Sequence, residues 1–457
     1  MKKIAYTIAA LIIISGCKKQ DEFLDKKYNL GDVVPKTLED FQGLLNNDGV
    51  FNATYSSLGN ISSDFYFLND ADYSTLQPTE RNLYAWKKEI FEDGYNGDWN
   101  AAYKRIFYSN VILEKLNDVV KSQDNDIQYN QIKGTALFMR AYSHYQLVQC
   151  FSIPYANATD ESLGIPYKIS SDVNIKNGRM PAKEVYNNIL KDLKLAVNLL
   201  PFRASFKTQP DKNSSRALLA KIYHAIGDYN SSYYYSDTVI LDNPMLIDYS
   251  TINTAPFFPF SSLIKTNPEI LFYASNSSYR ILGPFGPAQV DSNLYRSFSN
   301  DDLRKTLYYM NNAITNNRIV YRGSYAGGAQ FGGLLTSEMY FIKAEASIRK
   351  GRVEEGISLL NKLLLTRFKP GRFTPYGILS SAEALKILFR EKGLELSFVG
   401  QVRWEDLRRL NTEPTYSSIL RRRISNVDYE LAPNSPRYAL PIPNSELQIN
   451  NLPQNPR

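Results

Sequence analysis

A run near the middle of the chain, Ser214 to Leu241, reads as two helices folded back on each other, and few folds can absorb such a unit. Ala217, Ala220, Tyr223 and Ile226 share one helical face, with Leu219 and Ile222 beside them. Gly227-Asp228 interrupts this helix. Tyr229, Tyr233, Ser236 and Val239/Ile240 then line a second, which stops at Asp242-Asn243-Pro244 because proline cannot continue it. Ala220 is small enough to let two helix axes approach closely. The pattern recurs at Tyr340 to Leu365, where Ala344 stands for Ala220, Gly351 for Gly227 and Val353 for Tyr229.

A helix pair cannot bury its apolar stripe alone, so such units stack on one another or on a larger body. The arrangement resembles a tetratricopeptide repeat, with a generic all-α bundle turned on glycines as the alternative. Further helices are predicted over Trp99–Val120, with Trp99 packing, and over Ile132–Phe151. Another runs from Glu184 to Leu200, opened by Arg179-Met180-Pro181 and stopped by Pro201. The expected fold is mainly α: tetratricopeptide-like helix pairs forming a right-handed scaffold, with large irregular loop-rich insertions at about 31–98 and 243–335.

The first residues carry a different signal. Lys2-Lys3 precedes an apolar stretch, Ile4 to Ile14, too short to span a bilayer, and Ile14-Ser15-Gly16-Cys17 looks like a bacterial lipobox. This predicts a signal peptide over 1–16, lipid attachment at Cys17, a polar tether over 17–30 and a single domain over 31–457. Each buried methylene of an acyl chain contributes about 0.8 kcal/mol, so two or more chains anchor a protein stably. With Cys17 lipidated, only Cys150 remains, which excludes a disulfide within the chain and reads as a small buried hydrophobe.

The chain holds 33 Tyr and 23 Phe, more rings than a core needs. Flat apolar faces with polar groups between them suit a sugar, which offers a C–H face to stack on and a rim of hydroxyls. Asp64, Tyr66, Tyr73 and Trp86 from the first insertion, and Tyr325 from the glycine-rich run Gly323–Gly333 of the second, are the candidate ligand contacts. That run lacks the Lys-Ser/Thr ending of a phosphate loop and reads as a flexible loop. A net charge of +7 is too mild to indicate nucleic acid, and Arg421-Arg422-Arg423 reads as a solvated face or a phosphate-level contact at most. The two histidines, His144 and His224, lie singly on helices as packing or capping residues. No hydrolase, metalloprotease or cysteine-nucleophile motif is present. The reading is therefore a binding protein without catalytic residues, cofactor or metal.

Two stretches near the end carry a family resemblance. Leu385 to Leu410 contains Arg390-Glu391, Glu395, Phe398, Gly400, Arg403-Trp404, Asp406-Leu407 and Arg409. Tyr438 to Asn455 contains Leu440-Pro441-Ile442-Pro443, Glu446 and Gln454-Asn455, followed by Pro456. Together they resemble the closing motifs of the SusD/RagB-like outer-membrane lipoproteins of Bacteroidetes, in which Trp404 and Leu407 are read as scaffold. Asp21-Glu22 loosely resembles the surface-export signal of such lipoproteins. The resemblance implies a lipoprotein facing the cell exterior that captures oligosaccharides for a SusC-like TonB-dependent transporter. A peptide-binding RagB-type role and a mainly structural lid of the transporter are its alternatives.

Overall fold

The computed structural model describes residues 35–92, 94–313 and 317–457. The expected signal peptide, Cys17 and the tether lie outside them. The long helices are α1 (Gly97–Lys115), α2 (Asp126–Phe151), α3 (Ala182–Leu199), α4 (Lys212–Ala225), α5 (Tyr229–Asp242), α6 (Thr336–Arg349), α7 (Val353–Leu365), α8 (Ser381–Glu395) and α9 (Val402–Leu410). Their starts are chemically marked. The Asn96 side chain accepts from the Trp99 amide at 2.8 Å, Asp211 and Ser214 cap α4 reciprocally, and Ser380 and Glu383 do the same for α8.

From α1 to α7 each helix packs on the next, and α8 closes against α6 and α7. The predicted pairs are α4–α5 and α6–α7. Their turn glycines, Gly227 and Gly351, have φ of 80° and 79°, a left-handed conformation that a side chain disfavours. Ala220 and Ala344 are fully buried, as close helix approach requires. Trp99 lies inside, edge-on to Phe151 at 4.8 Å.

The two insertions are more ordered than their composition suggests. Residues 35–96 form the short helices Leu38–Leu45, Asp48–Phe51, Leu58–Ser62, Asp70–Ser74 and Pro78–Tyr84. Strand Tyr66–Phe67 pairs antiparallel with Gln289–Val290 of the second insertion, and Tyr55 bridges to Asn276. The run Gly323–Gly333, expected to be a flexible loop, has buried residues at both ends, and its Tyr325 lies 3% exposed.

Charge is concentrated in the interior. Arg409 of α9 meets Glu345 of α6 at 2.6 Å and Asp406 at 3.2 Å, and Lys392 of α8 meets Asp406 at 2.8 Å. Lys221 of α4 reaches Glu338 at 2.5 Å and Glu405 at 2.9 Å. Nearby, Arg367 is shared between Glu269 and Glu395, while Arg304 holds Asp302 and Glu391. Burial would push Glu345 up, yet Arg409 and His224 hold it well below the usual range. Burial likewise opposes the charge on Asp406, and Lys392 and Arg409 bring it down to about 2.

Both histidines are neutral partners in this interior. Burial, then the neighbouring Arg409, brings His224 down to about 4, so its ring donates from Nε2 to Glu345 at 2.8 Å as an uncharged group. His144 stacks on Tyr167 at 4.1 Å and is brought to about 3 by burial and Arg140. Cys150 ends α2, with Sγ 2.8 Å from Gln401 Oε1 and 3.4 Å from Ser56 Oγ.

Glu345→Gln leaves Arg409 short of its carboxylate, and urea unfolding should show a loss of about 3–5 kcal/mol. Unfolded histidines take up protons below about pH 6.5, whereas the folded ones stay neutral to about 4 and 3. Stability is therefore full above pH 6.5 and falls as pH drops below it, by about 2 kcal/mol per histidine between pH 7 and 5. Calorimetric unfolding across that range should register close to two protons taken up per molecule at pH 5.

Candidate ligand-binding groove

The aromatic and acidic side chains of the first insertion are already engaged by arginines from the end of the chain. In strand Leu420–Ile424 burial alternates, so Arg421 and Arg423 face solvent, paired loosely with Glu430 and Asp428, while Arg422 points inward. Its guanidinium lies 3.8 Å from the Tyr84 ring, 4.4 Å from Trp86 and 5.2 Å from Tyr66, and donates to the Tyr84 and Ser63 carbonyls. The basic run is thus a solvated face only at its outer members.

This placement corrects the expectation that these rings are exposed for a ligand. Trp86 is 3% exposed and donates to the Ser62 carbonyl at 2.9 Å; Tyr66 is equally buried and donates to the Ile61 carbonyl at 2.6 Å. Asp64 is clamped by both forks of Arg403 at 2.7 and 2.6 Å, and Arg403 and Arg422 together outweigh burial to lower its pKa. Tyr325 shares a 2.7 Å hydroxyl bond with Tyr249. Tyr73 is half-buried beside Tyr84 and belongs to neither depression described next.

An open surface that joins both insertions lies where they meet α1. A depression of about 330 Å³ is lined by Ser57, Ser277 to Arg280, Leu282 to Gly286 and Gly328 to Gln330. A second, of about 480 Å³, is lined by Gly49, Val50, Thr54, Tyr95 and the α1 face Gly97, Asp98, Asn100, Ala101 and Lys104. They share Ser277, Ser278 and Tyr279 and so form one groove. Spacing of three, four and seven residues along α1 explains why its members face the same way.

The wall of the first depression is a tight turn. The Gly286 amide donates to the Gly283 carbonyl at 2.8 Å, and a Cβ at Gly286 would collide with the Arg280 carbonyl. That turn presents Phe285, 59% exposed, against Phe257 at 5.4 Å; at the far end Tyr95 is 61% exposed. Arg322, itself buried, donates only to carbonyls, those of Thr254, Pro256 and Thr306, and so ties down the strand of chain leading to Phe257.

Asp98 is the floor bond between the halves. Tyr279 donates its hydroxyl to Oδ1 at 3.1 Å, while Ser56 Oγ and the Ser57 amide donate to Oδ2 at 3.0 and 2.9 Å. Burial pushes its carboxyl up despite these donors. Asn100, Ser278, Lys104 and the Gln330 amide nitrogen have side-chain polar groups without hydrogen-bond partners among the described residues. The groove can therefore stack an apolar face and hydrogen-bond a polar rim, and its one described carboxylate is committed to the protein. Among the described residues no group of three or more His, Cys, Asp and Glu could hold a metal, and no helix is long and apolar enough to cross a membrane.

Comparison with known proteins gives this groove a setting. A family model described as starch-binding and associating with the outer membrane matches residues 22–224, and the model of the SusD family itself matches residues 299–457. The chain belongs to the SusD/RagB family. SusD-like protein P2 of Formosa agariphila is 25% identical over 246 residues, a match spanning 51% of this chain and 45% of that protein. Among solved structures, a SusD superfamily protein of Bacteroides thetaiotaomicron is 23% identical with a TM-score of 0.73, covering 92% of this chain and 100% of its own. A SusD-like carbohydrate-binding protein of Bacteroides vulgatus is 18% identical with a TM-score of 0.69, covering 91% and 97%. These structures share the SusD fold of paired helices. The family is one of binding proteins, without enzymatic activity.

In this SusD-family chain the groove residues lie in both insertions and on the adjoining helix α1, and Asp64, Tyr66, Tyr73, Trp86 and Tyr325 are not among them. Phe285 and Tyr95 flank glycines, Gly283, Gly286, Gly94 and Gly97, whereas Trp86 and Tyr66 sit within runs of other large residues. That contrast was the available signal. Arg322→Ala should speed hydrogen exchange across residues 254–258 by about tenfold or more, through the loss of about 1–3 kcal/mol of carbonyl bonding, with α4 to α7 unchanged. Mass-spectrometric exchange makes the comparison directly.

Proposed function

We propose that this protein is a cell-surface nutrient-binding lipoprotein that captures oligosaccharides in the groove between Phe285 and Tyr95. It is anchored through Cys17 to the outer membrane and passes its ligand to a SusC-like TonB-dependent transporter. The groove carries this reading: two exposed rings bracket unsatisfied amide and hydroxyl groups over a rigid floor, which is what a sugar requires. The description of the matched family as starch-binding at the outer membrane, and of the B. vulgatus structure as carbohydrate-binding, point the same way. The transporter partnership and the lipid anchor rest on the family and on the Ile14–Cys17 motif.

Calorimetric titration of the soluble chain beginning after Cys17, against a panel of oligosaccharides and mixed peptides, tests the proposal. Heat is expected from a glycan class. Phe285→Ala and Tyr95→Ala should each weaken it by about 1–2 kcal/mol with the melting temperature nearly unchanged. Heat from peptides alone would transfer the groove to a RagB-type role, and silence in a chain that still co-purifies with its transporter would leave only a lid.

A further inference from the structure

The charged groups of the groove narrow the class of sugar. The lining described above contains three ionisable groups of the Asp, Glu, Lys and Arg type: Asp98, Lys104 and Arg280. The anion is spent. Asp98 is 3% exposed, and each of its oxygens accepts from a serine, an amide or a tyrosine of the protein. The cations are not. Lys104 has no hydrogen-bond or ion-pair partner among the described residues and is exposed on the α1 face that lines the second depression.

Arg280 in the first depression is held but unspent. Its Nη1 donates to the Thr75 carbonyl at 2.6 Å and to Thr75 Oγ1 at 3.2 Å, while Nε and Nη2 have no partner among the described residues. The turn that follows it is fixed by the Gly283 and Gly286 amide bonds, so the guanidinium is docked at one nitrogen on a compact loop. Two arginines that meet the insertions elsewhere are, by contrast, neutralised: Arg403 of α9 by Asp64 and Arg318 by Asp72. A planar guanidinium with a free edge is matched to a carboxylate or a sulfate, which accept two parallel N–H bonds, and a lysine at the next subsite adds a point charge.

Building on the glycan reading above, we infer that the groove is made for an acidic oligosaccharide, with an anionic group of one sugar on Arg280 and of another on Lys104. Stacking on Phe285 and Tyr95 holds the chain of sugars, and the two cations select for charge. Whether the anion is carboxylate or sulfate changes the oxygen acceptor, not the recognition.

Titrating the soluble chain with a galacturonate oligomer, a sulfated galactan oligomer and a neutral galactan oligomer of equal length, at low and at physiological salt, decides the matter. An acidic oligomer should bind about tenfold tighter than the neutral one, and the preference should shrink as salt rises. The better of the two acidic oligomers names the anion. Arg280→Gln and Lys104→Gln should each cut the acidic-to-neutral affinity ratio by about three- to tenfold, and both sites are exposed enough for the variants to fold, which circular dichroism verifies. Equal or tighter binding of the neutral oligomer, still weakened by Phe285→Ala, would overturn the charge selection and leave the glycan groove standing. No binding of any saccharide would overturn the groove and this inference with it.

Discussion

The fold depends on charges that water cannot reach. Glu345 lies on α6 in the helical array, while its cationic partner Arg409 lies on α9, 64 residues later, and both are buried. Removing such ions from water costs several kcal/mol each, repaid only when the geometry is right. Arg409, Lys392 and Lys221 therefore act less as glue than as a registration device. The closing motif can dock on the helix pairs in one position, because any other leaves a bare charge inside. Arg367, bonded to Glu269 and Glu395, extends the same logic from the second insertion to α8.

The helical half of this architecture was legible. Ala220 and Ala344 are the small contacts, Gly227 and Gly351 the left-handed turns, and Pro201 and Pro244 the stops, each a local requirement that a local sequence states. The family motif was legible too, and Trp404, fully buried, is scaffold as expected. The groove was not, because rings look alike in one dimension. Trp86 and Tyr66 are claimed by Arg422, 336 residues from Trp86 in sequence, and Asp64 by Arg403 across 339. Such long-range pairings follow from topology alone. One hint existed: Leu420-Arg-Arg-Arg-Ile424 alternates when read at strand period, which turns the middle arginine inward.

The same arginines explain how a loop-built site can be firm. Loops usually carry function at the expense of order, since their backbone groups lack a ladder to satisfy them. Here Arg322, Arg403, Arg422 and Arg105 supply the missing donors to carbonyls or carboxylates of the insertions, and Asp98 gathers donors from both insertions on the first turn of α1. The groove thus inherits its rigidity from the helical body through side chains, while its rings and unspent donors remain available. Such a division gives a preorganised floor that costs little on binding and a rim that makes few contacts to break.

Cys150 has a practical bearing on this division. Burial pushes its thiol up to about 12, and Ser56 and Gln401 enclose it, so at neutral pH it is neither ionised nor within reach of a bulky electrophile. In the chain that begins after Cys17 it is the sole thiol. A reporter cysteine set into the rim would therefore be labelled alone, without first stripping the native residue from the core. The groove could then be watched by fluorescence in an otherwise unaltered molecule.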